Sequence, residues 1–390
     1  MKKLVLFGAG KIGRSFIGQL FSRSGYEVVF IDKDMEIINA LNRDKSYNVH
    51  ICDEHDTIIP VTNVRGIPAD HTYAILQEIS SADIVSVSVG KNALPHIAGP
   101  LSAGLQQREK DHPGTPVDII LAENMRNASE YFYSLLERSL PGYPLSAQVG
   151  LVETSIGKMV PLLPVSAKDP LSVSAEAYNT LIVDKKAFKT PIPRIAGIDA
   201  KENMKAWVDR KLFVHNFGHA VVAYQGYLRH PEHTYIWEVL EDSAIREAAR
   251  TSMQESATIL QAMYPGEFTE TELTDHIDDL LSRFGNRKLG DTVFRVGCDL
   301  YRKLSHDDRI VTPLLYGYRY ELPVDNILDT LWTALRFKAT GTDGSMFSGD
   351  IDFHTELNRY GTKYILQKVC GLDENVLNRV RQNISQNFYK

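Results

Sequence analysis

The sequence predicts an α/β fold followed by an α-helical one. The N-terminal domain is expected to be a doubly wound, mainly parallel sheet with an antiparallel extension, and the C-terminal domain mostly α-helical. Three observations carry this expectation. A continuous apolar run, Leu4-Val5-Leu6-Phe7, feeds a glycine-rich turn and then a helical pattern. Unalternated apolar runs recur around residues 28–31, 84–89 and 117–122, as strands buried on both faces require. Beyond Asn203 the apolar spacing becomes three and four almost to the end. A chain of 390 residues exceeds one ordinary core, so the division is placed at 1–193 and 194–390.

Taken in order, Leu4–Phe7 is a strand running into Gly8-Ala9-Gly10-Lys11-Ile12-Gly13. Residues 14–24 carry helical periodicity through Phe16, Ile17, Leu20 and Phe21, and Gly25 ends it. Val28–Ile31 is the next strand, with Asp32 at its end, 19 positions after Gly13. A G-x-G-x-x-G between strand and helix, followed by such an acid, is the Rossmann dinucleotide fingerprint. Gly8 allows the tight turn, Gly10 lets the backbone approach a pyrophosphate, and Gly13 lets helix and strand pack closely. The helix start, with Lys11 and Ile12, offers free N–H groups to phosphate oxygens. Asp32 can accept hydrogen bonds from ribose hydroxyls and would repel a 2′-phosphate, so NAD is expected rather than NADP. Lys33 beside it softens that choice.

Ile84–Val89 is a strand ending at Gly90-Lys91, and Val117–Ala122 is another, followed by Glu123-Asn124-Met125. Ligands of doubly wound sheets sit beyond the carboxyl ends of strands. Gly90 is therefore a candidate cofactor-binding residue, and Asn124 is a candidate to reach substrate, with helix capping as its alternative. Between Val160 and Pro193 the character changes. Pro161, Pro164 and Pro170 interrupt the chain, and residues 171–183 alternate partially, as an antiparallel strand would. Helical spacing then marks Ile236–Met263, Leu273–Phe284, Val324–Leu335 and Asp350–Val369.

Composition narrows the class. Hydrophobic content of 43% and charged content of 24% suit a soluble globular chain. A net charge of -6 gives no reason to expect nucleic acid. Three well-separated cysteines, Cys52, Cys298 and Cys370, form no disulfide framework or zinc pattern. No apolar run approaches the ~18 residues of a membrane span, and the apolar stretch after Lys3 is too short for a signal peptide. A cytoplasmic setting is expected.

The stretch Lys211-Leu212-Phe213-Val214-His215-Asn216-Phe217-Gly218-His219 holds residues suited to proton chemistry. On an α-helix, Asn216 would lie about 140° and His219 about 80° around the axis from Lys211. A lysine with a lowered pKa can act as a general base. The asparagine amide can hold a hydroxyl or carbonyl oxygen, and the histidine can orient the amine. The bland alternative is a solvated lysine, a capping asparagine and a partly buried histidine. His215 and His219 also make H-x-x-x-H, with His230 and His233 further on, but the pattern establishes neither a third ligand nor an open coordination position, and no metal is expected.

These features together resemble the polyol-specific long-chain dehydrogenases and reductases. The resemblance rests on Phe7–Gly18, Glu123-Asn124-Met125, Arg210–Phe213 with Asn216–His219, and Arg302-Lys303-Leu304-Ser305 through Arg309. It implies NAD as cofactor, no catalytic metal, and Lys211 as general base in polyol oxidation and general acid in ketose reduction. It further implies that Asn216 and Asn124 hold the reacting oxygen and that His219 positions Lys211 and substrate. The expected reaction interconverts a sugar-alcohol phosphate and a ketose phosphate. Arg302, Lys303 and Arg309 are candidates for the phosphate, and solvated surface charge is the alternative for each. A hexuronate or an unphosphorylated polyol is the alternative substrate within the family, and a non-catalytic NAD(H) sensor is the alternative of another class. The chain departs from the family's Val-Asp-Arg run at Ile156-Gly157-Lys158, which puts the substrate in question more than the reaction.

Overall fold

The computed structural model describes residues 1–161 and 169–387, with 381–387 as backbone only; Pro164 lies outside the described residues. The chain forms two compact units, Met1–Val208 and Asp209–Lys390.

The first unit is built on β1 (Lys3–Phe7), β2 (Glu27–Asp32), β3 (Ser46–Ile51), β4 (Ile58–Thr62), β5 (Val64–Pro68), β6 (Ile84–Val87), β7 (Val117–Leu121), β8 (Val149–Ile156), β9 (Val173–Ala175), β10 (Leu181–Asp184) and β11 (Ile198–Lys201). An eight-stranded sheet runs β11-β10-β8-β7-β6-β1-β2-β5. All neighbours from β5 to β8 are parallel. Along β1, Leu4 and Leu6 enter one apolar cluster while Val5 and Phe7 enter another. Successive side chains of a strand point to opposite faces, so a strand covered on both sides has no place for a polar alternation. The order turns back between β1 and β6, which is the topological switch point where doubly wound sheets bind ligands.

The antiparallel extension is present: β10 pairs antiparallel with β8, with Leu181 opposite Ile156. It is shorter than residues 171–183 suggested. Val173–Ala175 instead joins a separate three-stranded sheet, β4-β3-β9, and pairs parallel with β3. The alternation in that stretch is real, but half of it serves another sheet. A buried carboxylate holds the segment after β10 in place: Asp118 accepts the Lys189 and Thr190 N–H groups and the Thr190 hydroxyl.

The second unit is helical. Its longer helices are Phe217–Arg229, Ser243–Met263, Glu270–Phe284, Asp325–Ala334, Ser348–Lys368 and Glu374–Asn387. The periodic stretch 236–263 is two helices rather than one. Ile236–Val239 ends, and Asp242 restarts the chain as an N-cap by accepting the Ala244 N–H. Thr269 and Glu272 form a reciprocal capping box before Glu270–Phe284. Ser348–Lys368 is broken at Gly361, whose φ of 78° lies outside helical space. Among the described residues, no helix is long and apolar enough to cross a membrane.

Candidate active site

The first unit carries its glycine-rich loop at the switch point of the sheet. Gly8 follows β1 with φ +99°, and a Cβ there would strike the Ser88 carbonyl oxygen just beyond β6. Only glycine lets the two strand ends come this close. A Cβ on Gly13 would strike the Gly8 carbonyl oxygen, whereas one on Gly10 would meet nothing within 4 Å. The outer glycines are thus demanded by the protein's own packing. The middle one borders open space, as close approach of a phosphate chain requires. Gly13–Gly18 is a π-turn, wider than an α-turn, and the Tyr47 hydroxyl donates to the Arg14 carbonyl within it (2.8 Å).

Asp32 sits at the end of β2 and is partly tied to the loop. Its Oδ2 accepts the Ala9 N–H (2.6 Å) and its Oδ1 the Asp34 N–H (3.0 Å). Each carboxylate oxygen keeps a further lone pair for a hydroxyl donor. Ile12 is half-buried, and the Lys11 ammonium donates to the Pro161 carbonyl (2.9 Å). Gly90 is exposed with φ 86°, and its N–H and that of Val89 both donate to Glu123 Oε1 (3.0 and 2.8 Å). Burial pushes the Glu123 carboxyl up, against the pull of these two donors. Asn124 is exposed in the bend after β7; Asn127 stands at the N-cap position of the next helix without a capping side-chain bond, so Asn124 is not its N-cap.

In the second unit, Lys211–Asn216 is not α-helical but a π-turn leading into Phe217–Arg229. The Phe217 N–H reaches back to the Leu212 carbonyl, five residues away. The buried Ser256 hydroxyl donates to the Phe213 carbonyl (2.7 Å), satisfying a group in the loosened ladder. A turn that takes in an extra residue brings position +5 back over its start, so Asn216 lies nearer the Lys211 face than α-geometry implies. Burial pulls the Lys211 pKa down from 10.5 to about 8, with the Arg309 guanidinium as second cause. Arg309 is also joined to the turn, donating from Nη1 to the Asn216 carbonyl (3.4 Å).

Phe284 organises both histidines of this stretch. The His219 ring stacks flat on it, with centroids 4.3 Å apart and planes at 4°. His215 meets the same ring edge-on at 5.5 Å. Burial, then nearby cations, holds both imidazoles well below the usual pKa and therefore neutral near pH 7. His215 is thus an aromatic core residue beside the lysine. His219 Nε2 lies 3.6 Å from Asp291 Oδ2, and Asp291 is also paired with Arg295. Among the described residues, no three-ligand cluster fit for a metal includes His215 or His219.

The three basic residues named from the sequence do different things. The Lys303 ammonium is buried on the Val296 and Cys298 carbonyls, and burial pulls its pKa down to about 7. Arg309 is buried and bound through Nε to Asp308 (2.7 Å). Arg302 is half-exposed, between Asp299 and Asp308. Lys158, at the departure from the family's run, is buried with its ammonium on the Glu176 and Tyr178 carbonyls and on Asn179 Oδ1. The change there is absorbed by main-chain acceptors within the first unit.

Several residues now at the site were not singled out beforehand: Phe284, Asp291, Arg295 and Ser256. Each comes from a helix or loop distant in sequence from Lys211. Only the i,i+4 spacing of Asp291 and Arg295 was open to a sequence reader, as an ion pair.

Residues 2–197 match the family model described as the mannitol dehydrogenase Rossmann domain, and residues 203–355 match that of the mannitol dehydrogenase C-terminal domain. Among solved structures, the Pseudomonas fluorescens mannitol 2-dehydrogenase, in a ternary complex with NAD and D-mannitol, is similar with a TM-score of 0.75 at 14% identity, over 100% of this chain and 94% of that one. A D-sorbitol dehydrogenase in substrate-free form gives 0.78 at 15% identity, over 98% and 93%. An octopine dehydrogenase in complex with NADH and agmatine gives 0.51 at 14% identity, over 96% and 99%. At these identities the likeness is one of fold.

Proposed function

Because the chain belongs to the mannitol dehydrogenase family, we propose that it is an NAD-dependent polyol dehydrogenase in which Lys211 carries the proton and the substrate is a polyol phosphate. NAD, when bound, would supply the hydride acceptor for oxidation and, as NADH, the hydride donor for ketose reduction. Gly8, Gly10, Lys11, Ile12, Gly13 and Gly90 form the cradle for it, and Asp32 receives the ribose hydroxyls. The cradle fits such a group because Gly8 and Gly13 are closed by the protein's own backbone while Gly10 faces free space.

The protein's own groups handle the other half of the reaction. Neutral Lys211 takes the hydroxyl proton as the carbon–hydrogen bond breaks, and in reduction the ammonium gives it back. Negative charge grows on the substrate oxygen in the transition state. The side-chain amide of Asn216 serves as a donor to that oxygen. His219, fixed by Phe284 and facing Asp291, positions lysine and substrate as a neutral group.

The observation that carries an anionic substrate is the charge around His219. After burial, Arg295, Arg309, Lys303 and Arg283 act on it, in that order. Such a field favours a phosphate ester, and the pair we assign is mannitol 1-phosphate and fructose 6-phosphate, as in mannitol-1-phosphate 5-dehydrogenase. A second reading, an unphosphorylated polyol, is favoured by Asp291, Asp299 and Asp308, which already pair with Arg295, Arg302 and Arg309. NADH oxidation with fructose 6-phosphate, fructose and hexuronates separates them. Preference for fructose 6-phosphate by two orders of magnitude in kcat/KM is the expected result. Equal or better turnover of fructose would overturn the phosphate assignment, and NADH binding without turnover of any substrate would point to a sensor.

A further inference from the structure

We propose that His230, Glu232 and His233 form a site for one divalent transition-metal cation of the zinc type, at the end of the helix Phe217–Arg229 and apart from the reaction described above. The three side chains offer ligand atoms that all lie within 4.8 Å of one another. They come from one tight turn. The His233 N–H donates to the His230 carbonyl (3.0 Å), and Pro231 occupies the second position of the turn. Proline there pre-sets φ and brings the first and fourth residues to the same side. The two imidazole rings consequently stand 4.9 Å apart.

Two distances, each also that of a hydrogen bond, fit a cation site. His230 Nδ1 lies 3.3 Å from Glu232 Oε1. Two ligands held about 2.0–2.1 Å from a tetrahedral zinc sit about 3.3 Å from each other, so this pair is already spaced as one edge of the tetrahedron. The other ring nitrogen, His230 Nε2, lies 2.9 Å from Asp242 Oδ2. A metal-binding histidine characteristically donates its far N–H to a carboxylate, which fixes the tautomer and raises the basicity of the ligating nitrogen. Asp242 is itself held by the Ala244 N–H as the N-cap of Ser243–Met263. A bound cation would therefore tie the end of one long helix to the start of another. The carboxylates of Glu232 and Asp242 offset its charge. Imidazole and carboxylate ligands suit zinc, nickel and copper better than calcium or magnesium. The exposed turn leaves a fourth position to water.

The test uses the full chain, stripped with EDTA and titrated with zinc chloride by calorimetry in a non-chelating buffer. One zinc per chain is expected for the natural protein and for His55→Ala, an exposed histidine elsewhere. Binding should weaken at least about tenfold in His233→Ala and in Glu232→Gln. Both changes lie on an exposed turn, and equal melting temperatures in EDTA establish that the variants are folded. Zinc should raise the melting temperature of the natural protein and leave that of His233→Ala unmoved. The proposal is overturned if zinc does not bind, or if both turn variants bind it as tightly as the natural protein, which would mark adventitious uptake by other histidines. Turnover in EDTA reads the dehydrogenase assignment separately, since no step of it uses this cation.

Discussion

At the scale of the residue, Lys211 has the property that proton transfer near neutral pH demands. Its pKa is drawn down to about 8, first by burial and then by Arg309. Two outcomes are expected. Lys211→Ala should lower kcat by about 10²–10⁴, the usual contribution of general acid–base catalysis, while NADH binding measured by fluorescence is unchanged. Retained turnover would remove the lysine from the mechanism. The pH profile has a definite sign. Oxidation needs the neutral amine, so its kcat/KM should rise through about pH 8 and level off above it; reduction needs the ammonium and should fall across the same range. Arg309→Gln removes a cation that disfavours the ammonium, so both curves should move to higher pH. Because burial is the larger cause, that shift should be smaller than the total lowering, and a shift to lower pH would contradict the assignment.

At the scale of the element, both stretches to which we assign a functional role are π-turns, Gly13–Gly18 and Lys211–Asn216. Such turns are rare and occur mostly as single wide turns within helices, often at functional sites. Apolar spacing marks each stretch as helical, but α- and π-turns differ by about one residue per turn, too little for so short a pattern to register. The consequence for Asn216 is large: α-geometry puts it about 140° from Lys211, and the wider turn returns it toward the same face. The first π-turn starts at Gly13, which has no room for a Cβ beside the Gly8 carbonyl. Gly13→Ala should cost about 1–3 kcal/mol by overpacking and weaken NADH at least tenfold. Denaturant unfolding and NADH titration measure the two effects. An alanine variant with natural affinity would mean the loop is not the cradle.

At the scale of the whole molecule, the chain is acidic, with a net charge of -6, yet after burial the charges that act on His219 are led by the cations Arg295 and Arg309. An anionic substrate would be drawn to a local field of sign opposite to the net charge. The KM of fructose 6-phosphate should therefore rise several-fold between low and physiological salt, as screening shortens the reach of that field. The KM of fructose, being neutral, should hardly move. Equal salt response would argue for the unphosphorylated polyol. Each unit builds its own interior. Two apolar clusters line the two faces of the large sheet in the first unit, while capped helices dominate the second.

Much of this was legible in the residues alone. The apolar runs at β1, β2, β6 and β7 identify strands buried on both faces because such strands tolerate no polar alternation. The steric demands at Gly8 and Gly13 follow the order of the G-x-G-x-x-G loop, because close packing of strand and helix requires glycine there. The helical half follows from apolar spacing, and the Lys211, Asn216 and His219 offsets were visible as a chemical set. Tertiary structure decided the rest. It divided the alternating stretch 171–183 between two sheets, since alternation reports a pleat and not a partner strand. It split 236–263 at Asp242, because a cap acts through local geometry that periodicity averages away. It widened the turn at Lys211, drew down the amine's pKa and stacked His219 on Phe284, and it left Lys303 on carbonyls and Lys158 likewise. A side chain's charge state and orientation depend on neighbours brought from far along the chain, and only folding sets those neighbours in place.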